Sequence, residues 1–132
     1  MLDVMVQKLG DSSVVHCKGR IVLGDAYSIL RNTLIGQDHV RTLVVDLAQV
    51  DCIDAGGLGV LLAVREWACA EAIKFKLMNV PRNVEQILEL TNLRCVFEFC
   101  SVRDLLCLLH HPASAASPSV DESINPLFAL EF

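Results

Sequence analysis

The stretch Asp54-Ala55-Gly56-Gly57-Leu58-Gly59 decides how this chain is interpreted. It follows a β-branched and aliphatic run, Thr42–Leu47, and a predicted turn over residues 48–53. The pattern after it predicts a long apolar helix over residues 57–72, which begins close to the end of a buried strand. The first backbone N–H groups of a helix have no partner within the helix, so an anion or a partner loop can bind there. The six residues hold no hydroxyl, thiol or imidazole group.

Composition limits the class of protein. A chain of 132 residues corresponds to one domain with a sizeable core. Apolar residues make up 53% of the chain and aromatic residues 5%, so we expect an aliphatic core. The formal net charge is −5 and no cluster of Lys and Arg occurs, which argues against a nucleic-acid partner. The sequence has neither a secretory signal nor an apolar run long enough for a bilayer, so we expect no membrane insertion and a cytoplasmic location.

The chain offers few groups for catalysis or for metal binding. Its six cysteines contain no Cys-x-x-Cys pair, and we interpret them mainly as small buried hydrophobic residues. Asp46, Asp51 and Asp54 could supply oxygen ligands, but Asp46 ends a predicted buried strand and no further ligand converges on them. No nucleophile is paired with a base. We therefore expect a binding protein and not an enzyme, without catalytic residues, metal or cofactor.

The order of predicted elements indicates an α/β domain. Residues 2–8 and 13–18 predict two strands joined at Gly10-Asp11-Ser12, which makes an N-terminal β-hairpin. Helices and strands then alternate, with helices over residues 25–35, 57–72, 83–91 and about 102–110 and with strands over residues 42–47, 73–80 and 96–99. This order predicts a mixed β-sheet of about four to five strands with about four helices.

The composition changes at Pro112. The residues that follow are rich in Pro, Ser and Ala and predict a linker, whereas residues 124–132 are apolar again. We therefore divide the chain into a domain over residues 1–111 and a linker with an apolar tail over residues 112–132. Docking of the tail on its own domain, docking on a second copy to form a homodimer, and a vector-derived origin stay open.

Two motifs resemble those of STAS domains, the fold of the anti-sigma factor antagonists. Val44-Val45-Asp46-Leu47 followed by residues 50–62 is similar to the family pattern of a strand ending in Asp-Leu, then Asp-Ser-Ser-Gly-Leu-Gly and an apolar helix. Leu77–Leu93 is similar to the family pattern L-x-x-[VL]-x-x-x-V-x-x-[IVL]-L-x-L-[ST]-x-L, and the segment Phe97–Leu106 also matches. The resemblance covers about residues 1–110 and implies a single STAS-type domain.

The resemblance also implies a function in transcription regulation by partner switching. In this family an unphosphorylated antagonist binds an anti-sigma factor, usually an ATPase-fold kinase, and thereby frees a sigma factor. The partner phosphorylates a Ser or Thr at the start of the helix, and the added charge of about −1.5 to −2 breaks the complex. The phosphoacceptor position of the family falls on Gly56, which has no side chain. The resemblance therefore implies an interaction domain that is not phosphorylatable at this position.

The resemblance places the partner-binding surface at the start of the predicted second helix and in the loop before the first. The candidate residues are Asp25, Asp54, Ala55, Gly56, Gly57 and Leu58. We expect Leu58 to be an exposed apolar contact, and Asp54 is also a suitable N-cap. A homo-oligomeric scaffold and a STAS subunit of a transport or signalling assembly are the alternative functions.

Overall fold

Strands and helices alternate along the chain in the computed structural model, which describes residues 2–110 and the side chains of residues 2–107. The elements are β1 (Leu2–Leu9), β2 (Ser12–Ile21), α1 (Asp25–Ile35), β3 (Thr42–Ile53), α2 (Ala55–Ala70), β4 (Lys74–Met78), α3 (Arg82–Leu90), β5 (Glu98–Cys100) and α4 (Val102–His110). The predicted α/β class, element order and N-terminal hairpin are confirmed. The chain divides into two units after Val102, so that the five strands and α1–α3 lie in the first unit. The predicted linker and tail, residues 112–132, lie outside the described residues.

One mixed sheet with the order β1-β2-β3-β4-β5 forms the first unit. β1 and β2 are antiparallel because the two residues Gly10 and Asp11 join them, and Gly10 has the positive φ of 61° that such a turn requires. The pairs β2–β3, β3–β4 and β4–β5 are parallel, as expected where a helix makes each crossover. The parallel order brings the carboxyl ends of β2 and β3 to the same edge of the sheet.

The third strand is longer than predicted. The expectation of an end at Leu47 and a turn over residues 48–53 is wrong, because β3 continues to Ile53. β2 also continues to Ile21, and the two strands stay paired across two register shifts, one between His16 and Lys18 and one between Gly19 and Arg20. Such irregularities break the strict alternation of side chains, which hides the strand from a pattern search. Asp54 alone therefore connects β3 to α2.

The second helix begins at Ala55, two residues before its predicted start, and packs closely on the end of β2. A Cβ atom at Gly57 would lie 2.7 Å from the Ile21 carbonyl oxygen and 2.7 Å from Cγ1 of Ile53. Gly57 is therefore needed for the close approach of α2 to the sheet. Gly59, one helical turn away from Ala55, has open space at its Cα.

The core is aliphatic, as expected. The largest fully buried side chains are Ile21, Leu30, Leu34, Leu43, Leu47, Leu61, Leu77, Leu88, Val14, Val15, Val44 and Val45. Within the described residues, no helix has the length and apolar character needed to cross a membrane.

The cysteines differ from the expectation. Only Cys17 and Cys100 are buried among those that the structure describes, whereas Cys69, Cys95 and Cys107 are exposed. The prediction of mostly buried cysteines is wrong because it rested on the average behaviour of this residue type and not on the positions of these three, two on exposed helix faces and Cys95 in a turn.

Substitution of Gly57 and of Gly59 by alanine should have opposite effects on the free energy of unfolding. We expect Gly57→Ala to destabilise the protein by about 1–3 kcal/mol, because the new Cβ atom overlaps the Ile21 carbonyl. Gly59→Ala is the matched control and should stabilise by about 0.5–1 kcal/mol, because alanine favours a helix interior. Urea unfolding measures both values, and similar values for the two variants would contradict the close packing of Gly57 against Ile21.

Candidate functional site

The Asp54 carboxylate joins three segments at the start of α2. As the N-cap of this helix, it accepts a hydrogen bond from the Gly57 backbone N–H at 2.8 Å on Oδ1. The Tyr27 hydroxyl donates to the same oxygen at 2.6 Å, and the Leu23 backbone N–H donates to Oδ2 at 2.9 Å. The Asp54 N–H itself donates to the Ile21 carbonyl at 3.1 Å. One side chain therefore holds α2, α1 and the loop between β2 and α1 together.

These hydrogen bonds shift the titration of both side chains. The Tyr27 hydroxyl, followed by the Gly57 N–H, lowers the pKa of Asp54 below its usual value of 3.8. The same hydrogen bond raises the pKa of Tyr27 to about 12. An ionised carboxylate is favourable at a helix N-terminus, where the helix dipole is positive. The protein's own carboxylate therefore occupies the place that an external anion would take, and this argues against a phosphate-binding turn.

The partner-binding candidates do not share one environment. Ala55 and Gly56 are exposed in the first turn of α2, and Asp25 is exposed as the first residue of α1. Gly57 is buried, so it supports the surface from below. The cap of α1 is Gly24, which has a φ of 132° and no side chain to donate or accept.

The exposed apolar residue beside the site is Leu23 and not Leu58. The expectation that Leu58 is an exposed contact is wrong, because its side chain is 3% exposed. Leu58 precedes the buried Leu61 by three residues and so lies on the core-facing stripe of α2. Leu23 is 82% exposed, and its backbone N–H is held by Asp54.

Tyr27 is a residue of the site that the sequence alone does not identify. Tyr27 lies in the first turn of α1, and its hydroxyl reaches across to the start of α2. The available signal was its position, because the loop before α1 and the start of α2 follow the carboxyl ends of adjacent parallel strands.

The model of the STAS domain family matches residues 3–105. The chain belongs to the STAS domain family. Among curated proteins, nothing matches the sequence significantly.

Solved structures share the STAS fold of this chain. An anti-sigma factor antagonist from Mycobacterium paratuberculosis is 24% identical with a TM-score of 0.71, over 83% of this chain and 95% of that one. The Bacillus anti-sigma factor antagonist SpoIIAA in its unphosphorylated form is 14% identical with a TM-score of 0.68, over 82% and 96%. A sulfate transporter family protein from Wolinella succinogenes is 13% identical with a TM-score of 0.62, over 80% and 89%. Identities this low establish likeness of fold.

Asp46 of this STAS domain does not join Asp54 in a ligand set. Its Oδ2 contacts Nδ1 of His16 at 2.6 Å, and its Oδ1 accepts from the Ala48 N–H at 3.0 Å and from Nδ2 of Asn79 at 3.1 Å. The two carboxylates thus have separate sets of partners. Among the side chains that the structure describes, those of residues 2–107, no group of three or more from His, Cys, Asp and Glu is arranged to hold a metal ion.

The contribution of Asp54 to stability should depend on pH. Because the folded pKa of Asp54 lies below its usual value, its ionised form stabilises the fold above about pH 4, and this contribution is lost as the pH falls through the folded pKa. We expect Asp54→Asn to lower the free energy of unfolding at neutral pH and to differ less from the wild type in acid. Urea unfolding over a pH series measures this difference. Asp3→Asn, on the exposed part of β1, is the control, and a difference for Asp54→Asn that stays constant with pH would contradict the assignment.

Proposed function

We propose that this STAS domain is an anti-sigma factor antagonist-like binding protein that binds an anti-sigma factor, or a related ATPase-fold kinase, and cannot be phosphorylated at residue 56. The observation that carries the proposal is Gly56 in the exposed first turn of α2, within a stretch, residues 54–59, that has no hydroxyl. The match to the STAS family and the similarity of fold to two anti-sigma factor antagonists support it.

The surface around the start of α2 is suited to contact with another protein. Ala55 and Gly56 are small, so a partner backbone can approach closely, and Leu23 adds apolar area that a partner would remove from water. The Asp54 carboxylate already accepts three hydrogen bonds from the protein itself. A partner can therefore cover this region while the Asp54 carboxylate and the Gly57 N–H keep their hydrogen bond.

The absence of an acceptor changes how such a complex is controlled. A phosphate in the contact surface would add about −1.5 to −2 charge and would have to lose its water on binding. Since Gly56 has no side-chain hydroxyl to accept that phosphate, the domain stays in the binding-competent form. Its effect on a sigma factor is then controlled by its amount or by changes in its partner.

The domain acts in this proposal by binding and not by catalysis, in the cytoplasm and without nucleic acid. In this proposal, residues 112–132 are a linker and an apolar tail that follow the STAS domain of residues 1–111 in the sequence. A STAS subunit of a transport assembly is the second candidate, because the fold is also that of the Wolinella sulfate transporter family protein.

Truncation of Leu23 should weaken binding to the kinase-type anti-sigma partner. We expect Leu23→Ala to raise the dissociation constant about fivefold or more, which corresponds to ~1 kcal/mol of lost contact. Leu90→Ala is a matched control, because Leu90 at the end of α3 is 84% exposed and Leu23 is 82% exposed. Isothermal titration calorimetry of the full chain with the kinase-type anti-sigma factors of the same genome measures both values.

Three outcomes would count against this function. Equal losses of affinity for Leu23→Ala and Leu90→Ala would remove the start of α2 from the interface. Native mass spectrometry that finds no ATPase-fold partner, together with a stable homodimer through the tail, would favour a scaffold. Binding to a membrane transporter in place of a kinase would favour the transport assembly.

A further inference from the structure

The end of the Tyr27 side chain occupies the position that a Cβ atom at residue 56 would take. A Cβ atom at residue 56 would overlap the Tyr27 hydroxyl oxygen and would lie 2.5 Å from Cζ and 2.8 Å from Cε2 of the ring. Carbon atoms in van der Waals contact are about 3.5–4.0 Å apart, so these separations are repulsive. Any residue other than glycine at position 56 therefore requires the Tyr27 ring to move.

The ring is held in this place at both of its ends. Its hydroxyl donates a charge-assisted hydrogen bond of 2.6 Å to Asp54, and that carboxylate also accepts two backbone N–H groups. At the other end, Tyr27 belongs to α1, which is anchored in the core by Ala26 and Leu30. Displacement of the ring breaks the hydrogen bond to Asp54 and loosens the link between α1 and α2.

We propose that Tyr27 is a positioning residue that locks the start of α2 in its unmodified form, because its ring fills the space that an acceptor side chain at residue 56 would need. This inference rests on the proposed function and names the regulation of the same surface. Tyr27 and Gly56 form one unit, in which the ring excludes a side chain and the glycine admits the ring. The loop between β2 and α1 is also positioned by this unit, because the Leu23 N–H donates a hydrogen bond to the same Asp54 carboxylate.

The contact between Tyr27 and Gly56 determines how many substitutions are needed to introduce a phosphoacceptor at residue 56. A serine introduced at residue 56 does not by itself recreate a phosphoacceptor, because its Cβ atom competes with the Tyr27 ring. Restoration needs two changes, one that supplies the hydroxyl and one that removes the ring. A site that had merely lost its serine would need only the first.

A double-mutant cycle on the full chain tests the contact at neutral pH. Gly56→Ala should lower the free energy of unfolding when Tyr27 is present and should lose this effect, or reverse it, in the Tyr27→Ala background. Gly59→Ala, with open space at its Cα atom, is the matched control and should have the same effect in both backgrounds. Additive effects of Gly56→Ala and Tyr27→Ala would overturn the proposal.

The pKa of the Tyr27 hydroxyl is a second measurement, and a general loss of stability would not change it while the protein stays folded. Tyr27 is the single tyrosine of the chain, so phenolate absorbance reports this residue alone. Its pKa of about 12 should move toward the ordinary value of 10 in Gly56→Ala and stay in place in Gly59→Ala. Circular dichroism at each pH confirms that the protein is folded, and an unchanged titration in folded Gly56→Ala would overturn the proposal.

Phosphoryl transfer by the kinase-type partner tests the regulatory consequence. With partner and Mg-ATP, we expect no label on the wild type, at most slight label on Gly56→Ser, and at least tenfold more label on Tyr27→Ala/Gly56→Ser. In the labelled variant the introduced hydroxyl oxygen bonds to the γ-phosphorus, ADP leaves, and the hydroxyl proton passes to the kinase. Equal labelling of Gly56→Ser and Tyr27→Ala/Gly56→Ser, or label on Tyr27 itself, would overturn the proposal that Tyr27 excludes an acceptor side chain. Failure of every variant to bind a kinase would overturn the proposed function, while the cycle and the titration still decide the role of Tyr27.

Discussion

The structure around the site depends on one carboxylate at the meeting point of three segments. Asp54 accepts the Gly57 N–H, the Tyr27 hydroxyl and the Leu23 N–H, which belong to α2, α1 and the loop between β2 and α1. Without the Asp54 carboxylate, each of these donors would be unpaired or would bind water. The positive end of the α2 helix dipole would also lack a compensating negative charge. The exposed surface at the start of α2 is therefore defined by the hydrogen bonds of the Asp54 carboxylate and not by the side chains of residues 55 and 56.

Backbone constraints bring that carboxylate to its place. β3 runs on to Ile53 because β2 accompanies it across two register shifts, and the connection to α2 shrinks to Asp54. A connection of one residue is too short to let α2 move away from the sheet. The first turn of α2 must therefore lie against the end of β2. Gly57 permits this approach, since a side chain there would strike the Ile21 carbonyl. The pairing of β2 with β3, the Asp54 cap and Gly57 are therefore all needed for the close approach of α2 to the sheet.

The order of elements followed from the sequence because it depends on local patterns. Hydrophobic periodicity and the turn at Gly10 predict strands and helices within a few residues. The extension of β3 was missed because its register shifts break the alternation of side chains, and Leu58 was placed on the wrong side because an apolar helix gives no clear face. Asp54 was predicted as a cap from the next three residues, whereas its contact with Tyr27 joins residues 27 apart in the chain. Such a contact depends on the packing of α1 against α2 and has no local signature.

A glycine at residue 56, where the resemblance to the family places the phosphoacceptor, has two possible physical explanations. If the space beside Gly56 were empty, the glycine would indicate only that an acceptor is missing. A serine at residue 56 would then cost little free energy of unfolding. The space is filled by the Tyr27 ring, and the hydroxyl of that ring is used by the carboxylate that caps the helix. A change at residue 56 must therefore be matched by a change at residue 27, and each alone disturbs the hydrogen bonds of Asp54. In the proposed lock, Tyr27 and Gly56 together keep this surface unmodified, because a hydroxyl side chain at residue 56 needs a second substitution at residue 27.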